Sequence, residues 1–397
     1  MSKASVAVYL DNNATTRTDP SVVQAMLPFF TEEFGNASSA HAFGRQVAGA
    51  MGQARRSVQS LLGAAHDDEI VFTSGGTESN NAAIVSALAR QEGRDEIVTT
   101  SVEHQAILAL VEQLAKSGVK VHLIAVDSRG RLDLEAFRSA LGPRTAIASV
   151  MWANNETGTI FPVERLAAWT RASGALFHTD AVQAVGRVPI DLKASVIDML
   201  SLSGHKLHGP KGIGALYLRK GTNFRPLIWG GAQERRRRGG TENVPGIVGL
   251  GKAAELAAER LDGACVRVAA LRDRLEQLIL QSGHCEVLGD PSNRLSNTTN
   301  IAFDGLDGEA ILHHLNRAGI AASLGSACSS GAMEPSHVLR AMQVPANSLH
   351  GAIRFSLSHE TTDEEINQVA RALSEILARL RGMSRELAPL AIRNSWS

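Results

Sequence analysis

The chain has 397 residues, with 40 Lys+Arg against 40 Asp+Glu and a formal net charge of zero. That balance excludes a protein whose main partner is nucleic acid or an anionic membrane, because such partners require a positive surplus. Hydrophobic residues at 44% and charged residues at 20% exclude wholesale disorder. At roughly 150 residues per domain, the length points to two or three domains. Three cysteines, Cys265, Cys285 and Cys328, are too few for a disulfide framework, and their spacing matches no zinc pattern. Residues 1–13 lack a basic region followed by an apolar stretch, so no secretory signal is expected. No apolar run of about 18 residues is present to span a membrane. The expected compartment is a reducing cytoplasm.

From about Asp67 the chain alternates β-rich runs with amphipathic stretches. Strands are predicted at 69–73, 96–100, 119–124, 146–151, 176–179, 199–202 and 214–218, with helices at 78–91 and 104–116. This alternation predicts an α/β fold with a mostly parallel sheet flanked by helices. A long helix is expected over 248–280, with a break at Asp262-Gly263. Strands at 299–303, 320–323 and 352–356 and helices at 307–317 and 362–381 then describe a smaller α+β domain. The expected division is a large domain over 15–255, a small one from 1–14 and 256–383, and a loose tail over 384–397.

In open parallel sheets ligands bind beyond the carboxyl ends of the strands. After the strand ending near Phe72 comes Ser74-Gly75-Gly76-Thr77-Glu78 at a helix start. Two glycines, a hydroxyl and free helix N–H groups make a phosphate cradle. The segment lacks the P-loop lysine and the dinucleotide glycine spacing, and taken alone it passes for a capped helix. Lys206 follows another strand, flanked by Ser203, Gly204 and His205; a lysine there can form a Schiff base. Asp180 ends a third strand, with Gln183 three residues on, and could keep a heteroaromatic nitrogen protonated. His104 follows a fourth and could stack on a flat ring or shuttle a proton. Each residue singly has a plain structural reading. Together they are the parts needed to hold pyridoxal phosphate.

Tyr9-Leu-Asp-Asn-Asn-Ala-Thr-Thr16, Phe72-Thr-Ser-Gly-Gly-Thr-Glu78, Glu103-His104, Asn154-Asn-Glu-Thr-Gly158, His178-Thr-Asp-Ala-Val-Gln183, Ser203-Gly-His-Lys206, Arg238-Gly-Gly-Thr-Glu-Asn243 and Gly325-Ser-Ala-Cys328 carry a resemblance. The chain resembles the NifS/IscS-type cysteine desulfurases, fold-type I pyridoxal-phosphate transferases of the class V aminotransferase group. Met151-Trp-Ala-Asn-Asn-Glu-Thr-Gly-Thr-Ile-Phe-Pro162 is closer to the NifS type. The resemblance runs from about residue 8 to about residue 382.

This resemblance implies that Lys206 carries the cofactor as a Schiff base and shuttles protons. It implies that Asp180 pairs with the ring nitrogen, Gln183 donates to the phenolic oxygen and His104 stacks on the ring. Thr77, Ser203 and His205 would bind the phosphate, with the Gly76 and Gly204 backbone close by. Thr241 would reach the phosphate of a neighbouring subunit, which makes a homodimer part of the active site. Asn155 would serve both the cofactor and, with Arg354, the substrate carboxylate. Cys328 would take sulfur from L-cysteine as a persulfide, leaving L-alanine. An iron–sulfur scaffold protein is the implied acceptor, with nitrogenase maturation as the destination. No resident metal is expected; the persulfide would meet iron only transiently, at a cluster under assembly. Cys265 and Cys285 read as structural.

The competing readings are a selenocysteine lyase or a class V aminotransferase on the same scaffold. Outside enzymes, the rival is an iron–sulfur scaffold or sulfur-acceptor binding protein. Three scattered cysteines argue against a scaffold, since clusters usually take four thiolates.

Overall fold

The computed structural model describes residues 7–324 and 335–393. In chain order its strands are β1 (Val8–Tyr9), β2 (Ile70–Thr73), β3 (Glu96–Thr100), β4 (Lys120–Ile124), β5 (Thr145–Ser149), β6 (Leu176–Asp180), β7 (Met199–Ser203), β8 (Gly214–Leu218), β9 (Cys285–Leu288), β10 (Thr298–Phe303), β11 (Ile320–Ala321) and β12 (Ala352–Ser356). The large sheet takes seven of them, in the order β2-β8-β7-β6-β5-β3-β4. Only β8 runs against its neighbours. Every residue of β3, β5 and β7 is buried. That is the signature of a sheet covered on both faces, and it explains why these strands read as continuous runs rather than alternating ones.

The smaller part holds an antiparallel sheet, β12-β10-β9, and a parallel pair, β1-β11. Its core is a separate apolar cluster around Leu10, Leu275, Phe303, Phe355 and Leu373. The Val244–Leu280 helix joins the two regions. Its first turns pack Ile247, Leu250 and Ala254 into the large core, and its later turns give Val268, Leu271 and Leu275 to the small one. It starts at Asn243, whose side chain accepts from the Gly246 N–H. Gly251 lets the Ala42–Leu61 helix come close, since a Cβ there would sit 2.5 Å from the Ala54 Cα.

Two expectations need correction. The long helix does not break at Asp262-Gly263 but runs unbroken from 244 to 280. A glycine there costs about 1 kcal/mol, less than the burial of the two apolar stretches on either side. The final helix also continues past 381 to Arg393, into the expected tail. No glycine follows Gly382 to stop it.

Candidate active site

Five turns meet at the carboxyl edge of the large sheet, and β12 closes them from the small one. Together with the segment at Asn13-Ala14 they enclose a cavity of about 390 Å³. Gly76, Thr77, His104, Asn155, Asp180, Gln183, Ser203, His205, Lys206 and Arg354 all line it. Gly204 is buried in the turn beneath, where a Cβ would come within 2.9 Å of the Pro210 carbonyl. Thr241 is exposed on the loop before the long helix and does not line this cavity. Cys328 lies outside the described residues.

The cradle is built from backbone. Gly75 has φ 155° and ψ −177°, a conformation reserved largely for glycine, and it turns the chain from β2 into the Gly76–Arg90 helix. A Cβ on Gly76 would lie 2.7 Å from Val182 Cγ2, so only glycine fits there. The first N–H groups of this helix have no partner within it and suit an anion. Glu78 accepts from the Ser74 N–H at 2.8 Å and from Arg238 Nε at 3.0 Å. Burial alone would raise its carboxyl, but the Arg238 and Ser74 hydrogen bonds win and hold it below the ordinary range. This pair ties the 238–241 loop to the cradle.

Asp180 sits on the cavity floor. Its Oδ2 accepts from Asn80 Nδ2 at 2.6 Å and its Oδ1 from the Val182 N–H at 3.0 Å. Behind it, His178 is buried between Ser149 Oγ (2.8 Å) and Ser201 Oγ (2.9 Å). Burial depresses this imidazole to about 3, so it stays neutral. Lys206 Nζ donates to the carbonyls of Asn13 and Ala14, the latter at 2.7 Å. His205 is pushed down to about 4, first by burial and then by the charges of Lys206 and Lys211. It therefore meets a ligand as a neutral ring. Its Nδ1 lies 3.2 Å from Thr15 Oγ1.

His104 caps the Gln105–Lys116 helix, with Nδ1 accepting from the Ala106 N–H at 3.1 Å. In the neutral ring that bond leaves the proton on Nε2. Proton uptake at Nδ1 therefore requires release of the cap, whereas stacking does not. Arg354 is 2% exposed in the middle of β12, and it pairs with Asp11 at 2.6 Å while donating to the Asn155 carbonyl at 3.1 Å. The structural ion pair and the cavity-lining position thus hold together.

Beside His104, the Glu103 carboxyl is fully buried. Burial raises it to about 8, against the opposing hydrogen bonds from the Met151 N–H and Thr100 Oγ1. Its folded value lies above the ordinary 4.5, so the stability it contributes is complete below about pH 4.5 and is lost as pH rises through about 8. We expect Glu103→Gln to gain about 2 kcal/mol relative to wild type between about pH 6 and pH 9. Urea unfolding at the two pH values measures this; parallel losses in both proteins would contradict it.

The aminotransferase class-V family matches residues 8–369. The chain belongs to the class-V aminotransferase family. A cysteine desulfurase of Bradyrhizobium diazoefficiens is 74% identical over 97% of this chain and 98% of its own length. The cysteine desulfurase NifS of Azotobacter vinelandii is 60% identical over 95% and 94%. A solved NifS-like protein superposes with a TM-score of 0.89 at 39% identity, over 94% of this chain and 100% of its own.

Class-V aminotransferases depend on pyridoxal phosphate, and the cavity of this one fits it. The glycine cradle suits a phosphate dianion, the Asp180 carboxylate suits a protonated ring nitrogen, and the Lys206 amine suits the aldehyde. Sequence reasoning missed Asn80, which holds Asp180 from one turn inside the helix, and Asp11, which anchors Arg354. Asn80 carried no local signal, because its partner lies 100 residues away on β6. The carbonyls of Asn13 and Ala14 that hold Lys206 carried no signal at all, being backbone.

Among the described residues, no group of three or more His, Cys, Asp or Glu side chains could hold a metal. No described helix is long and apolar enough to cross a membrane.

Proposed function

We propose that this chain is a pyridoxal-phosphate-dependent cysteine desulfurase. L-Cysteine and the Cys328 thiol give L-alanine and a Cys328 persulfide; one C–S bond breaks, one S–S bond forms, and the thiol proton stays with the products. A thiol reductant then releases the outer sulfur as sulfide. The observation that carries this reading is the convergence of cradle, Asp180 and Lys206 on one cavity, in a chain so close to named cysteine desulfurases.

Bound there, the cofactor supplies an electron-accepting ring that lets bonds at the substrate's Cα and Cβ break heterolytically. The chain's own residues do the rest. Thr77, Ser203 and His205 hold the phosphate, and Asp180, steadied by Asn80, holds the ring nitrogen in its charged form. Arg354 and Asn155 hold the substrate carboxylate, for which a fixed guanidinium fork is well shaped. Lys206 moves the proton at Cα. His104 covers the ring face. Cys328 attacks the substrate sulfur as the thiolate, the reactive form of a thiol.

The same proposal includes a homodimer in which Thr241 serves the partner subunit's site; its exposure outside the cavity supports this. It also includes an iron–sulfur scaffold protein as acceptor, delivery toward nitrogenase as for a NifS-type enzyme, and a reducing cytoplasm, which suits sulfur carried on a free thiol. It keeps the division into 15–255 and 1–14 with 256–383: the apolar cluster around Leu10, Leu275 and Phe355 supports a distinct small part, although Leu288, Val338 and Met342 of that range pack into the large core. The test is to treat holoprotein with one equivalent of L-cysteine without reductant, alkylate it and map the peptides. A peptide containing Cys328 that is heavier by one sulfur supports the reading. The extra sulfur on Cys265 or Cys285, or on none, overturns it.

A further inference from the structure

Arg187 belongs to no role assigned above. Its guanidinium donates to the Gln183 Oε1 at 2.6 Å, to the Gln183 carbonyl at 2.9 Å and to the Lys206 carbonyl at 3.3 Å. Arg187 is half-buried; among the described residues it makes no ion pair, and desolvation pulls its pKa down to about 10. A guanidinium partly withdrawn from water and held by neutral oxygens rather than a carboxylate loses hydration without gaining a counter-charge. All three of those oxygens belong to two residues of the cofactor cavity.

The Gln183 side chain is held from both ends. Its oxygen faces Arg187, and its Nε2 donates to the Asn13 carbonyl at 3.0 Å. An amide's oxygen and nitrogen nearly interchange on a half-turn, so only its partners fix which one points where. A flip here would set donor against donor at Arg187 and oxygen against oxygen at Asn13. Nε2 keeps a second N–H for the cavity.

We propose that Arg187 is a positioning residue that locks the Gln183 amide with its nitrogen toward the cofactor, and so sets the protonation behaviour of the bound ring. This rests on the cofactor reading above. A hydrogen bond donated to the ring's phenolic oxygen favours its anionic form. Losing that bond moves the pH midpoint of the bound cofactor's visible absorbance upward, by about half a unit to one unit. Among the described residues, the other charged or titratable groups facing this cavity are Asp180, His104, His205, Lys206 and Arg354, and Cys265 lies behind it, donating to the Arg187 carbonyl at 3.2 Å. None of them is altered in the test.

The test titrates apoprotein with pyridoxal phosphate, then measures the absorbance midpoint of each loaded protein against pH. The proteins are wild type, Arg187→Met, Arg187→Lys, Gln183→Ala and the Gln183→Ala/Arg187→Met double variant. The methionine variant should shift upward, the lysine variant should keep most of the wild-type midpoint, and the double variant should match Gln183→Ala alone. A wild-type midpoint in Arg187→Met overturns the proposal, and so does an undiminished added shift in the double variant. If Arg187→Met does not fold, Arg187→Gln takes its place; its weaker neutral donor should give an intermediate midpoint, and a wild-type value would overturn the proposal. Failure of wild-type apoprotein to bind the cofactor would instead overturn the cofactor reading beneath it.

Discussion

Lys206→Ala should lower sulfide release from L-cysteine by at least about 10³-fold, even with saturating pyridoxal phosphate. In the proposed function the lysine is both the attachment point and the proton carrier, and its amine is held by two backbone carbonyls, those of Asn13 and Ala14. Asn13 also takes the Gln183 amide, so one carbonyl sets two cavity groups. Among the described residues lining the cavity no second lysine is present to take its place, and neither the His205 imidazole nor the Arg187 guanidinium is an amine that forms a Schiff base. Steady-state rates on both proteins measure the effect. A variant within about tenfold of wild type would remove Lys206 from the chemistry.

Cys328→Ala should keep the yellow cofactor and lose sulfide release by at least about 10²-fold. The loss belongs to this cysteine by chemistry. Cys265 is turned to the Arg187 carbonyl. Cys285 lies in β9 of the small sheet, where burial raises its thiol and so reduces the thiolate fraction. Cys285→Ser should therefore retain wild-type release. Unchanged release from Cys328→Ala, with the cofactor still bound, would sink the nucleophile assignment.

Much of this was legible because the large sheet is buried on both faces. Its strands announce themselves as apolar runs, and the residue that follows each run is where chemistry sits. Asp180, Ser203 and Lys206 were singled out that way, and all three line the cavity. Segments whose structure depends on packing rather than pattern were not legible. The Ala42–Leu61 helix carries Gly44, Gly49 and Gly52 and reads poorly as a helix, yet packing against the long helix holds it. The split placed at residue 14 cuts a segment, residues 8–16, that serves both domains. β1 pairs with β11 of the small part, while the Thr16 N–H donates to the His205 carbonyl of the large one. Arg354 showed as a charge inside an apolar strand, but its partner Asp11 lies 343 residues away, beyond any local pattern.

The central claim is that this cavity removes sulfur from L-cysteine. Purified holoprotein mixed with L-cysteine and a thiol reductant, with alanine and sulfide quantified together, tests it most directly. The account predicts equal amounts of both products over many turnovers. Cofactor-loaded protein that gives neither product, or alanine without sulfide, would contradict it.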